Sequence, residues 1–350
     1  MAIRWRHLIL ALAGALLVTT GCATQRVSGI PGEPDMNLVW PVPPDLPRIA
    51  YLHQIHIPAD VGVRERGLKR LLAAVAGRAP DPTIESPIGL YADPSGWLFV
   101  ADTGLQVVHL FHLGEQRYAQ AFRYPGGRLA SPVGVAFDPE RGWVFVSDSI
   151  LNQIFIYDTR GHFIGVMGDG LLRVAGLAWD AERQRLIAAD TGNHRVLVFD
   201  RDGNLIQTVG ERGTEAGQFN FPTHVAVDGE GRIFVSDSLN FRIQVLDVEG
   251  VPMQNIGRLG GTVGSFAKPK GVAVDSEGRL FVVDGIYDVV QLFDAEGRLL
   301  MHFGGAGSSP GRFWLPAGIA VAGDNIFVAD THNRRVQLFK LLPGPQGDGG

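Results

Sequence analysis

Residues 222–246 read PTHVAVDGEGRIFVSDSLNFRIQVL. Three apolar runs of strand length lie in this stretch, separated by the turns Gly229-Glu230-Gly231 and Ser238-Leu239-Asn240. Gly, Asp and Asn supply the backbone angles that tight turns need. Short β-prone runs joined this way form an antiparallel meander. The chain continues through VPMQNIG, a fourth run of the same kind. One unit is thus a four-stranded sheet.

The unit recurs. Its second run ends in Asp102, Asp148, Asp190, Asp237, Asp284 and Asp330, within FVADTG, FVSDSI, IAADTG, FVSDSL, FVVDGI and FVADTH. The separations are 46, 42, 47, 47 and 46 residues. Upstream stand PIGLYAD, PVGVAFD, VAGLAWD, PTHVAVD, PKGVAVD and PAGIAVA; downstream stand VVHLFH, IFIYD, VLVFD, IQVLD, VQLFD and VQLFK. A single four-stranded sheet cannot bury both of its faces, but sheets packed radially can. The sequence therefore predicts an all-β, six-bladed β-propeller over residues 49–342. The sixth unit lacks its fourth run, because Leu342 is followed by PGPQGDGG, read as a disordered tail at 343–350. The alternating segment Arg48–His56 (RIAYLHQIH) is β-prone. It is expected at 49–56 as the strand that closes the ring and covers an open edge.

The 350 residues are 45% hydrophobic and 19% charged, with 46 glycines and 21 prolines. That suits a large core with many turns and excludes a disordered chain. Residues 1–21 read as a signal peptide: Arg4 and Arg6, then the apolar run Leu8–Val18, too short to span a bilayer stably. The junction VTTGC resembles a bacterial lipobox, which implies lipidation of Cys22, although Thr19 stands where leucine is usual. Cys22 is the sole cysteine, so it makes no internal disulfide. Ala23 after it leans towards an outer-membrane destination, facing the periplasm. Residues 22–48 read as a lipidated cysteine and a proline-rich tether. Residues 60–78 read as a helix with Asp60 as N-cap and Leu68, Leu71, Leu72 and Val75 on one face. Its basic side chains, among them Lys69 and Arg70, leave two readings open: packing on the propeller, or presentation to a membrane or partner. Without residues 1–21 the net charge is −7, which argues against nucleic-acid binding.

The pattern G-x-x-x-G-x-F-x-x-P-x-G-[IV]-A-V-D followed by F-V-A-D-[ST]-x-N-x-R-[IV] resembles the NHL repeat over roughly residues 84–342. Units three, four and six keep its Asn and Arg as Asn193 and Arg195, Asn240 and Arg242, Asn333 and Arg335. Units one, two and five depart, with Leu105 and Val107, Leu151 and Gln153, Tyr287 and Val289. The six aspartates read as caps of the turn that follows them rather than as a metal ring.

Site residues in a propeller are sought where the innermost strands begin: Ile88, Val133, Ala175, Thr223, Lys270 and Ala317. The resemblance extends to amidating lyases, which carry metal-bound histidine directly after such prolines. No ring position here is histidine, and His224 stands one place later, where the other units have glycine. The acidic and amide set of lactonase-like propellers has no counterpart at the strand starts. No H-E-x-x-H, cysteine cluster, G-x-S-x-G or P-loop occurs. The expectation is a non-catalytic scaffold, without metal or cofactor, that binds a protein, peptide or glycan at a mouth formed by Ile88, Val133, Thr223, His224, Lys270 and Ala317. The alternative is a metal-dependent hydrolase or lyase with His224 as one ligand.

Overall fold

A computed structural model describes residues 30–63 and 82–343. They form five four-stranded antiparallel sheets and one of five strands, together a six-bladed propeller, with a two-stranded ribbon at Arg123–Tyr124 and Gly127–Arg128. In blade 1 the strands run Pro87–Ala92, Trp97–Asp102, Val107–His112 and Arg117–Ala121 from the axis outward. Blades 2 to 5 repeat this order, beginning at Pro132, Val174, Pro222 and Pro269.

The core is divided among the blade interfaces. Each of six buried clusters joins two neighbours, because the second and third strands are apolar on both faces and lie between sheets. Phe219, Phe266 and Phe313, from the connections into blades 4, 5 and 6, are fully buried and extend this packing to the mouth end.

Blade 6 is assembled from both ends of the chain. Ile319–Ala322, Asn325–Asp330 and Arg335–Leu341 supply its inner strands, and Ile49–Ile55 pairs antiparallel with the last of these, Ile49 opposite Leu341 and Ile55 opposite Val336. Ile49, Ala50 and Ile55 are fully buried. Within the stretch read as tether, Asp35–Trp40 is itself a strand, a fifth and outermost one paired with Ile49–Ile55. Trp40 holds it in place, with its ring 6.0 Å from Phe303 and 5.7 Å from Phe339. The tether is corrected accordingly and ends before Asp35.

Asp60 is not an N-cap: it lies inside a single 3₁₀ turn, Pro58–Val61, whose N-cap is Ile57, and its carboxylate accepts the backbone N–H groups of His56 and Ile57. The turn stops at Gly62, so residues 62–63 do not continue the helix expected at 60–78, and residues 64–78 lie outside the described residues. So do the signal peptide, Cys22 and most of the expected tail.

Candidate functional site

At the mouth end of blades 1 to 5, the first residue of the inner strand lies opposite the aspartate that ends the second strand, as Pro87 does Asp102 and Pro222 does Asp237. All six aspartates have zero exposure. Their carboxylates are satisfied in two ways. In blades 1, 2 and 5 they accept backbone N–H groups from both sides: Asp148 takes those of Ala130, Ser131, Ile150 and Leu151. In blades 3, 4 and 6 the Asn and Arg take part, as when Asp237 accepts Asn240 Nδ2 at 2.8 Å and Arg242 Nε at 2.9 Å. These aspartates therefore bind the turn to the incoming connection, as the turn-capping reading expects, and among the described residues no group of metal-ligating side chains is present.

One partner was not singled out from sequence. Gln244, Gln291 and Gln337 each accept a backbone N–H of the incoming connection and donate to a carbonyl there. In blade 1 the same position holds His109. Its Nε2 lies 3.2 Å from Asp102 Oδ2 and its Nδ1 2.7 Å from the Tyr118 hydroxyl. Aligning the third strands residue by residue reveals this exchange.

Around the axis the innermost strands approach closely. A Cβ added to Gly89, Gly134 or Gly318 would meet a carbonyl oxygen of the next strand at 2.1–2.2 Å. Only glycine permits that approach. Blade 4 alone places a side chain at this position, His224, and the channel left is about 30 Å³, little more than one water. Val133 and His224 line it, with the glycines. The other candidates sit around this ring but do not line the void. Thr223 hydrogen-bonds Ser238 Oγ at 2.7 Å, and Ser238 lies 2.7 Å from the Pro269 carbonyl, which it donates to. Ala317 is buried. The carbonyl of Ile88 abuts Gly318.

Burial, and secondarily the Lys270 charge, push the His224 imidazole down to about 3, so it is neutral at physiological pH. Lys270 lies over Gly285, the one place where a glycine replaces the Thr or Ser that follows the aspartate in other blades; a Cβ there would stand 2.7 Å from Lys270 Cε. Burial, with the neighbouring Lys268 charge, lowers the Lys270 ammonium to about 8. Asp288 is raised, chiefly by burial, and its carboxylate accepts the Leu315 N–H at 2.7 Å. The turns and connections around this mouth expose Ile150, Leu172, Leu239, Ile286 and Trp314.

The family model for the NHL repeat matches residues 219–246 and 313–339, parts of blades 4 and 6. This chain is a six-bladed propeller of NHL repeats. The same sheet order and the same buried aspartate recur in the blades outside the matched segments. Comparison of this NHL propeller with curated proteins finds no match. Among solved structures it is similar to a structural genomics protein of unknown function from Bacteroides thetaiotaomicron, at 15% identity and TM-score 0.58, covering 74% of this chain and 70% of that one. It is similar to a chain of a nidogen/laminin complex, at 20% identity and TM-score 0.54, covering 71% and 89%. It is also similar to virginiamycin B lyase from Staphylococcus aureus, at 13% identity and TM-score 0.54, covering 73% and 95%. At these identities the likeness is one of fold, and one fold serves binding and catalysis alike.

Proposed function

We propose that this protein is a lipid-anchored scaffold of a bacterial membrane, on the periplasmic side of the outer membrane, that binds a protein or peptide partner on the propeller face around the channel mouth. The observation that carries the reading is the character of that face. Exposed Ile150, Leu172, Leu239, Ile286 and Trp314 stand around a lysine with no ion-pair partner among the described residues. Apolar patches with polar rims mark interaction surfaces. The opposite end carries the acidic turns of Glu140, Glu182, Glu230, Glu277, Glu249 and Glu296. A partner with apolar side chains and a carboxylate at its centre suits the mouth end. Metal-dependent lysis or hydrolysis in the channel is less well supported: the passage holds little more than a water, and among the described residues no metal-ligating group gathers with His224.

The anchor rests on the apolar run before Cys22. Twelve residues separate Cys22 from Asp35, a reach of about 40 Å if extended as proline-rich chain. Cys22→Ser is expected to move the protein from the membrane to the soluble fraction or leave it unprocessed. Membrane retention after carbonate washing, with normal processing, argues against the lipid.

Cross-linking in cells followed by mass spectrometry identifies the partner, and binding of the purified pair tests the face. Leu239→Asp with Ile286→Asp should weaken binding at least tenfold while leaving Tm unchanged, since both side chains are about half exposed in the free protein. Glu230→Lys at the opposite end should change nothing. Binding should also fall as pH rises through about 8, where Lys270 loses its proton, and Lys270→Met should remove that dependence. If the double variant binds like the parent, the partner sits elsewhere.

A further inference from the structure

A cavity lies away from the mouth, in a cleft between blades 1 and 2 on the outer side of the ring. It measures about 350 Å³ and is lined by Trp97, Leu110, Arg117, Tyr118, Ala119, Thr159 and Arg160. A local difference between blades opens it. The outer strands of blades 3 and 4 carry Gln207 and Gln254, which reach the next blade's turn and donate to the carbonyls of Glu249, at 2.5 Å, and Glu296, at 2.8 Å. The register shows what stands at the matching place in blade 1. Gln207 lies opposite Val198, Gln254 opposite Val245, and Ala119 opposite Leu110. Blades 2 and 5 also lack the glutamine, with Gly165 and Met301 at that place; in blade 1 a methyl group stands there, and the space beside Thr159 and Arg160 of the blade 2 turn stays open.

What lines that gap suits a ligand. The indole of Trp97 forms one wall, packed edge-on against His112 at 4.5 Å with the Arg117 guanidinium 5.4 Å from its ring centre. Leu110 and Ala119, on the same face of the sheet, form another, while the Tyr118 ring turns to the opposite face against Phe111 and His109. The rim is cationic. Arg160 is exposed, and the adjacent Asp158 carboxylate is already occupied by the backbone of Arg160 and His162 and by the His162 ring. Arg117 pairs with Glu115 at 2.6 Å, but both are about half exposed, so the pair is weak and open to exchange for another carboxylate. An aromatic wall, apolar side chains and two arginines, in a volume of this size, describe a small-molecule site.

We propose that the cleft between blades 1 and 2 is a binding site for a small ring-bearing carboxylate, its ring against Trp97 and Leu110 and its carboxylate on Arg160 and Arg117. A sugar acid and an aromatic acid share this chemistry. Calorimetric titration with D-glucuronate and with indole-3-acetate separates them, with glucose and indole as uncharged counterparts. At least one acid should bind with Kd below about 1 mM, at least tenfold more tightly than its uncharged counterpart. Ala119→Gln should restore the bridging amide, fill the cleft and abolish binding without lowering Tm. Arg160→Glu, at the exposed rim, should weaken binding at least tenfold and serves if the first variant fails to fold. The proposal is overturned if neither acid binds, if the uncharged counterparts bind equally well, or if a folded Ala119→Gln or Arg160→Glu protein binds like the parent.

Discussion

Deletion of residues 23–56 is expected to leave a protein that aggregates or forms oligomers rather than a stable monomer. The deletion removes both outer strands of blade 6. The third strand, Arg335–Leu341, loses its outer ladder and becomes an exposed edge. It also removes Ile49 and Ile55, each with zero exposure, from the cores that join blade 6 to blades 5 and 1. Burying such a side chain contributes about 1.5–3 kcal/mol, so the two together approach the whole stability of a marginal domain, about 5–15 kcal/mol. Trp40 adds a further aromatic contact. Light scattering after size exclusion reads the outcome. Ile55→Ala provides a graded version that should still fold, with a loss of about 2–5 kcal/mol. A deleted protein that is monomeric, with an unchanged melting temperature, refutes this account of closure.

Arg335→Ala is expected to cost about 3–5 kcal/mol, the range for a buried ion pair robbed of one partner. Arg335 has 4% side-chain exposure and holds four groups at once. Nε donates to Asp330 at 2.8 Å, Nη1 to Gln54 of the closing strand at 2.7 Å, and Nη2 to the carbonyls of Ser309 and Arg312. Without it, Asp330 keeps a fully buried carboxylate with less compensation. The equivalent arginines make the test quantitative. Arg242 pairs with Asp237 at 12% exposure, and Arg195 with Asp190 at 29%. Water replaces the lost partner more readily as exposure rises, so urea denaturation should rank the alanine variants Arg335, then Arg242, then Arg195. Equal losses at all three would show that burial does not set the cost.

The repeat made the fold legible because every blade solves the same packing problem with nearly the same residues. The closing strand was legible for a related reason: a four-strand unit with three runs at one end demands a fourth from elsewhere. Asp35–Trp40 was hidden because Pro31, Pro34, Pro41, Pro43 and Pro44 mark its surroundings as tether, while the site that receives Trp40 is made by Phe303 and Phe339, far along the chain. At the mouth, His224 stood out as a residue in a glycine position. Its confinement in a water-sized channel depends on how closely the neighbouring glycines let the strands approach, which spacing along the chain does not disclose. The cleft at Ala119 was equally silent, since a missing glutamine has meaning only after the outer strands are placed in register.

The pairing of Ile49–Ile55 with Arg335–Leu341 also fixes an order of events in biosynthesis. The closing strand is made before blade 1, and its partner after blade 5. Blades 1 to 5 consist of contacts local in sequence and can form as the chain emerges, while this one pairing spans nearly the full length and bears the cost of closing a very long loop. Until the final blade is complete, Ile49 and Ile55 have no apolar site to enter, and the nascent protein displays two unpaired β-edges at once. The interval between the first strand and the last is therefore the period in which a holding chaperone has most to protect.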